Sequence, residues 1–458
     1  MSLRFSRREV LRSLVGSSLL MPGVLSELLA ADAISDPLAP KTPQFSATAK
    51  RVIFVFSNGG VSHMDTFDFK PELFKADGKK TGVGGGLSNQ QKVLLKPLWE
   101  FRPGGNCGTL VSDLFPHLRE CMDDICVIRS LNGNDNEHYN ATLGMHTGSF
   151  FFSRPSIGSW VSYGLGTTNR NLPSFIALAP QMPYAGTQIF NNDFLPAYHQ
   201  GVRVLGGKEP IANLARRTQQ QGLQELELGL ADVLNNRHLQ QRANDSELSA
   251  RIRSFETAFH MQTEAPEAFD VTQEDDRTLG LYGLKRGESE GFGWQCLVAR
   301  RLAERGVRFI ELVDGSSSHN WDQHGDMAEH AQHAKNIDQP LAGLLQDLKA
   351  RGMLDDTLVV WTTEFGRTPG VDGNKGRGHH SACFSSWMAG GGLKGGIAYG
   401  STDELGATVA ENGVHVHDFH ATILHLLGID HTRLTYRHAG RDYRLTDVHG
   451  RVVRELLS

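Results

Sequence analysis

Arg51-Val-Ile-Phe-Val-Phe56 contains five consecutive apolar residues with no polar interruption. A strand with one wet face alternates apolar and polar side chains. A run this short and this continuous is covered on both faces, the condition met inside parallel sheets whose crossovers are helices. Ile125-Cys-Val-Ile128, Val307-Arg-Phe-Ile-Glu-Leu312 and Thr357-Leu-Val-Val-Trp361 repeat the pattern in looser form. Helix-period segments lie around 114–121, 139–146, 292–304, 326–350 and 418–427. The alternation predicts an α/β fold with a doubly wound, mainly parallel sheet, and in such sheets ligands bind beyond the carboxyl ends of the strands.

The 458 residues suffice for one large domain with an insertion. Residues 181–275 are Gln-rich and charged, with helical periodicity from Ala212 to about His260, and predict a helical insertion within a domain running 51–458. The Gly-rich stretch 78–108 reads as an exposed loop. Residues 1–33 carry Ser6-Arg7-Arg8, an apolar core broken by Gly16 and Pro22-Gly23, and Ala31-Asp-Ala33. That is the pattern of a twin-arginine export signal, which implies a periplasmic or extracellular protein handled by the twin-arginine machinery, with no membrane span after cleavage. Residues 34–50 read as a linker. Five cysteines without a C-x-x-C pair signal neither a zinc ribbon nor a thioredoxin-type site, and one disulfide among Cys107, Cys121 and Cys126 is conceivable. A net charge of −5 with no basic block argues against a nucleic-acid partner.

The residues just after each strand carry the chemistry. The first strand is followed by Asn58, Gly59, Gly60, Ser62, His63 and Asp65, among which Asn58 and Asp65 are candidate metal ligands. Residues 132–148 open with helix-cap residues and place His138 and Asn140 at a helix N-terminus; its free N–H groups suit an anion, with plain capping as the alternative. After the third strand, Asp322 and His324 stand two apart and in an extended stretch point the same way, able to grip one cation. His330 and His333 read as a solvated helical face. Glu364 and Arg367 follow the fourth strand, and the guanidinium of Arg367 suits fork-like recognition of phosphate or sulfate. Gly376-Arg-Gly-His379-His380 presents two imidazoles in a glycine-rich loop. Asp322, His324, Glu364, His379 and His380, imidazole and carboxylate without thiolate, predict one or two divalent cations, zinc or manganese rather than calcium. His417 and Asp418 in the histidine-rich tail are weaker additions.

Several of these segments are recognisable. Gly59-Gly60-Val-Ser62-His-Met-Asp65-Thr-Phe67-Asp68-Phe-Lys70-Pro71, Met145-His-Thr147-Gly148, Trp321-Asp322-Gln-His324-Gly325, Glu364-Phe365-Gly366-Arg367-Thr368-Pro369 and the closing His417–His449 stretch resemble the family called domain of unknown function fifteen-oh-one, exported sulfatase-like proteins, from about residue 50 to the end. The wider resemblance is to the alkaline phosphatase and sulfatase superfamily. It implies an alkaline-phosphatase-like fold, divalent metal, and hydrolysis of phosphate or sulfate esters of a small molecule or polysaccharide. Phe115-Pro116-His-Leu118 followed by His138–Gly148 is similar to the sulfatase run that carries the nucleophile ten residues before a Thr-Gly. Asp355–Glu364 is similar to a strand delivering a metal-binding Asp-His pair, and Trp321–His324, trailed by Asp338, to a segment supplying a central Asp and His.

Three departures qualify the resemblance. Asn58-Gly59 stands where sulfatases carry a pair of Asp, Phe365 where the superfamily has His, and the nucleophile position falls on His138 rather than Cys, Ser or Thr. A formylglycine-dependent sulfatase is thereby disfavoured. Two readings remain. One is a metal-dependent ester hydrolase in which a metal-bound hydroxide or His138 attacks and Arg367 clamps the oxyanion. The other is a non-catalytic exported binding or assembly protein whose helical insertion contacts an envelope protein or polysaccharide.

Overall fold

The structure is a computed structural model and describes residues 37–81, 92–212, 214, 221–242 and 246–458. The expected export signal, 1–33, and the middle of the Gly-rich loop, 82–91, lie outside the described residues. In chain order the principal strands are β1 (Arg51–Ser57), β2 (Ile125–Asn132), β3 (Phe175–Leu178), β4 (Val202–Val204), β5 (Phe309–Asp314), β6 (Thr357–Thr362), β7 (Gly366–Asp372), β8 (Gly376–His380), β9 (Phe384–Ala389), β10 (Ile397–Tyr399) and β11 (Val414–His415). The principal helices are α1 (His138–Thr147), α2 (Ile157–Leu165), α3 (Gln221–Gln241), α4 (Ser246–Phe269), α5 (Gly291–Glu304), α6 (His330–Ala350) and α7 (Val416–Leu426).

Nine strands form one sheet in the order β10-β2-β9-β6-β1-β5-β3-β4, with β11 also on β2. β1 lies in parallel register with β6 (Phe54 opposite Val360) and β5 (Phe54 opposite Glu311). β9 runs antiparallel between β6 and β2, so the sheet is mixed but mainly parallel, as expected. Its central strands are buried on both faces because side chains alternate: Ile53 and Val55 meet α5 and α6 through Leu297, Leu344 and Leu345, while Val52, Phe54 and Phe56 meet α1, α2 and α7 through Met145, Val161 and Ile423. Each large apolar side chain removed from water this way contributes about 1.5–3 kcal/mol.

Three expectations change. The helical layer starts later than residue 181: the segment to Val204 stays with the α/β body, adding β4 in parallel to β3, and the helical hairpin is α3–α4. α4 anchors in the core through Met261, Ala265 and Ala268, whereas α3 leaves Leu226, Leu230 and Val233 in solvent. His330 and His333 are buried rather than solvated; the Ser62 N–H donates to His330 Nε2 (3.2 Å), and both rings pack on Trp321. Residues 376–380 form a strand, not a loop. Residues 37–50 run as irregular chain against the body, with Lys41 N–H bonded to Leu165 and Ala49 N–H to Leu426. All five cysteines are free, and only Cys107 is exposed. No helix among the described residues is long and apolar enough to cross a membrane.

Candidate metal centre

β1, β5 and β6 end on the same edge of the sheet, and three loops leave it there: Asn58-Gly59-Gly60, Gly315–His324 and Thr363-Glu364. The first is pinned by glycine. Gly59 has φ +113°, and a Cβ there would stand 2.6 Å from Asn320 Oδ1 and from Trp321 N, so only glycine lets the two loops approach. Its N–H donates to Glu364 Oε1 at 2.8 Å. Arg367, wholly buried on β7, ties the loops together: its guanidinium donates to the carbonyls of Gly60 (2.7 Å), Gly59 and Arg377 (3.1 Å) and to Asp322 Oδ1 (2.6 Å).

Asp322 is the hub. His138 Nε2 lies 3.2 Å from its Oδ2; His324 Nε2 and His379 Nε2 lie 3.0 and 3.2 Å from its Oδ1 and 2.9 Å from each other. On its other side each imidazole has an acceptor: His138 Nδ1 has Glu364 Oε1 (2.7 Å), His324 Nδ1 has Asp372 Oδ2 (2.7 Å), and His379 Nδ1 has the Asn136 carbonyl (2.7 Å). A carbonyl and ionised carboxylates only accept, so each Nδ1 carries a proton, and each Nε2 faces Asp322, donating to it when protonated and exposing a lone pair to a cation once that proton leaves. The Nε2 atoms of His138 and His379 with the Asp322 carboxylate form a donor set for a divalent cation, with His324 Nε2 beside it against Asp322 Oδ1 and the tautomers already fixed by an outer layer of acceptors. His138, Asp322 and His379 satisfy this most tightly, their ligand atoms all within 4.8 Å of one another.

The electrostatics agree. Asp322, Glu364 and Asp372 outnumber the cations beside them, Arg367 on Asp322 and Lys92 on Asp372. Burial alone would raise the Asp322 pKa, but hydrogen bonds from His138, His324 and His379 and the nearby Arg367 drive it far below the usual carboxylate range. Glu364 is lowered against its burial by His138 and the Gly59 N–H. Burial opposes a charge on His138, yet its bonds to Asp322 and Glu364 outweigh that and raise its pKa; the Asp322 bond raises His324 likewise. The potential that draws extra protons onto these rings favours a divalent cation in their place.

Of the residues singled out from sequence, His138, Asp322, His324, Glu364 and His379 come together, with Glu364 behind a ligand rather than as one. The others do not join them. His380 follows His379 in a strand, so it points to the opposite face, where its Nε2 bonds the Ala407 carbonyl (2.6 Å). Asp65 is buried against Arg377 (2.8 Å) and Ser62. The Asn58 amide donates to the Ser316 carbonyl (2.7 Å). Asn140 is engaged by Asp135 and Glu137, and Glu137 caps the helix, leaving no open anion site. Arg367 is committed to protein oxygens and is not an oxyanion clamp. His417 bonds the Gly148 carbonyl and Asp418 caps α7. Sequence reasoning missed Asp372 and Tyr184, whose ring stacks on His138 at 4.1 Å. Asp372-Gly373 is a hairpin signal between β7 and β8 that would have placed Asp372 beside the site; Tyr184 had no signal.

Among curated proteins none matches the sequence. Solved structures to which the chain is similar at low identity include the lipoteichoic acid synthase LtaP from Listeria monocytogenes (8% identity, 91% of this chain and 80% of that one, TM-score 0.37). Others are a phosphonate monoester hydrolase from Silicibacter pomeroyi (11%, 90% and 76%, TM-score 0.36) and the alkaline phosphatase from the Antarctic bacterium TAB5 (12%, 83% and 98%, TM-score 0.33). Residues 49–457 match the family described as Protein of unknown function (DUF1501), and with nearly the whole described body inside that match, the chain belongs to this family.

Proposed function

We propose that this protein is an exported, metal-dependent hydrolase of phosphate or sulfate esters. The observation that carries the reading is the convergence of His138, His324 and His379 Nε2 on the Asp322 carboxylate, each ring oriented from behind. His138, Asp322 and His379 would hold the cation, zinc or manganese by donor type, with the half-exposed His324 completing the set. A divalent cation there lowers the pKa of a bound water and polarises a phosphoryl or sulfuryl oxygen. Glu364 keeps the His138 tautomer, Arg367 fixes Asp322, and Tyr184 covers one face of His138 against water. Among the described residues no Ser, Thr or Cys side chain bonds to the three imidazoles or to Asp322, which supports water over a side chain as nucleophile. The test is turnover of aryl phosphate and aryl sulfate esters by zinc- or manganese-loaded protein, lost on chelation and in Asp322→Ala; metal-loaded protein that turns over neither ester contradicts the reading.

One observation favours the non-catalytic alternative. Three nitrogens and a carboxylate complete a tetrahedral zinc shell, and closed shells are structural rather than catalytic. A His324→Ala variant that gains ester turnover while retaining metal would mark the intact site as closed.

A further inference from the structure

A cavity of about 450 Å³ opens on the same sheet edge beside the centre, at the end of β5 and between the N-terminal turns of α5 and α6. The segments that wall it also reach the centre. Pro180 and Gln181 line it while Tyr184, four residues on, stacks on His138; Asp314, Gly315 and His319 line it while Asp322 is the hub. The Asn320 amide joins the two by donating to the Tyr184 hydroxyl at 3.0 Å.

The lining is unlike that of the centre. Gln181, Gln295, Gln332 and Asn336 supply carboxamides, and His319 and His333 supply imidazoles, with Phe292 as an apolar wall. No Lys or Arg lines it, while Glu290 and Asp314 place carboxylates there, so an anionic group is disfavoured. Gln295 is only 4% exposed and its Oε1 has no hydrogen-bond partner, an acceptor left for something that donates. Carboxamides and imidazoles, each offering both donor and acceptor, match hydroxyl groups, and the volume is in the ordinary range for small-ligand sites, roughly 300–1,000 Å³.

We infer that this cavity binds the uncharged, polyhydroxylated part of the substrate, a neutral sugar residue, while the anionic ester group lies at the metal centre. The inference rests on the hydrolase reading and adds the class of alcohol to it. Titration calorimetry and saturation-transfer NMR with the methyl glycosides of galactose, glucose and N-acetylglucosamine test it on the full chain, metal-free and zinc-loaded. At least one glycoside should bind in both states, and at least tenfold more weakly to Gln295→Leu. Gln332→Leu, at the exposed rim, should weaken it as well and serves should Gln295→Leu fail to fold. Absence of binding by all three, affinity untouched by both rim and wall substitutions, or tetramethylammonium binding in place of the glycosides overturns the inference. Metal uptake is scored on the same samples: protein that binds a glycoside but takes up neither zinc nor manganese overturns the hydrolase reading alone, and protein that takes up metal but binds no glycoside overturns the sugar site alone.

Discussion

Glu364→Gln isolates the acceptor behind the most deeply set imidazole. Glu364 is buried and touches no metal position; it accepts from His138 Nδ1 and Gly59 N through Oε1, and from Thr363 Oγ1 (3.0 Å) through Oε2. Gln keeps the size but only one acceptor oxygen and no charge. With that oxygen toward His138, the amide nitrogen faces the Gly59 N–H, donor against donor, at the position now 3.1 Å away. Loss of such an orienting partner lowers metal affinity about 10–100-fold, or about 1.4–2.8 kcal/mol, and complete burial places Glu364 at the upper end. Asp372, behind His324, is 39% exposed, so water replaces it more readily and Asp372→Asn should cost tenfold or less. Zinc competition against a chromophoric chelator, on untagged protein with thermal unfolding as the folding control, measures both. Unchanged affinity in folded Glu364→Gln, or a larger loss in Asp372→Asn, would refute the argument that the outer acceptors fix the ligands.

Arg367→Leu leaves Asp322 and three carbonyls without their donor; urea unfolding should show a loss of about 3–5 kcal/mol, and a variant of undiminished stability would return Arg367 to a substrate-binding role. Gly59→Ala forces a Cβ to within 2.8 Å of Asp322 N, so zinc affinity should drop with the Asp322 loop displaced, and wild-type affinity would show that the loops are free to separate. Acid should destabilise the fold through buried neutral histidines. Burial lowers His63, His199 and His420 to about 3, below the unfolded value of about 6.5, so between those pH values the unfolded chain binds more protons and stability falls as pH falls. Each contributes about 1.4 kcal/mol per pH unit in that window. Asp314, raised by burial to about 6, opposes one of them between about 6 and 3.8, where the folded state holds the extra proton. Chemical unfolding at pH 6.5 and 4.5 measures the net slope, and equal stability at the two would contradict the burial of these rings.

The sheet was legible because its central strands are apolar on both faces, a pattern no surface strand or short loop produces. The site was half legible for the same reason: Asp322, His324 and Glu364 follow strands, and the carboxyl edge of a parallel sheet is where chemistry gathers. What failed was the secondary structure around the histidines. Reading Gly376–His380 as a loop allowed His379 and His380 to act together, whereas the two-residue period of a strand separates them. Arg367 looked like an anion binder because a guanidinium at a rim usually is; that two loops and the neighbouring strand β8 would all offer it oxygens is a tertiary fact with no local signature. Setting the start of the helical insertion at 181 merged a sheet-edge segment with the hairpin α3–α4, because Val202–Val204 is too short to interrupt a polar stretch.

The central claim is that the imidazoles of His138, His324 and His379 and the Asp322 carboxylate form a divalent metal site. Metal content by plasma mass spectrometry, on full-length protein purified without a polyhistidine tag and alongside Asp322→Ala, tests it directly. Wild-type protein should carry stoichiometric zinc or manganese and the variant little; wild-type protein that holds neither, even after incubation with each ion, would show that these four residues form no metal site.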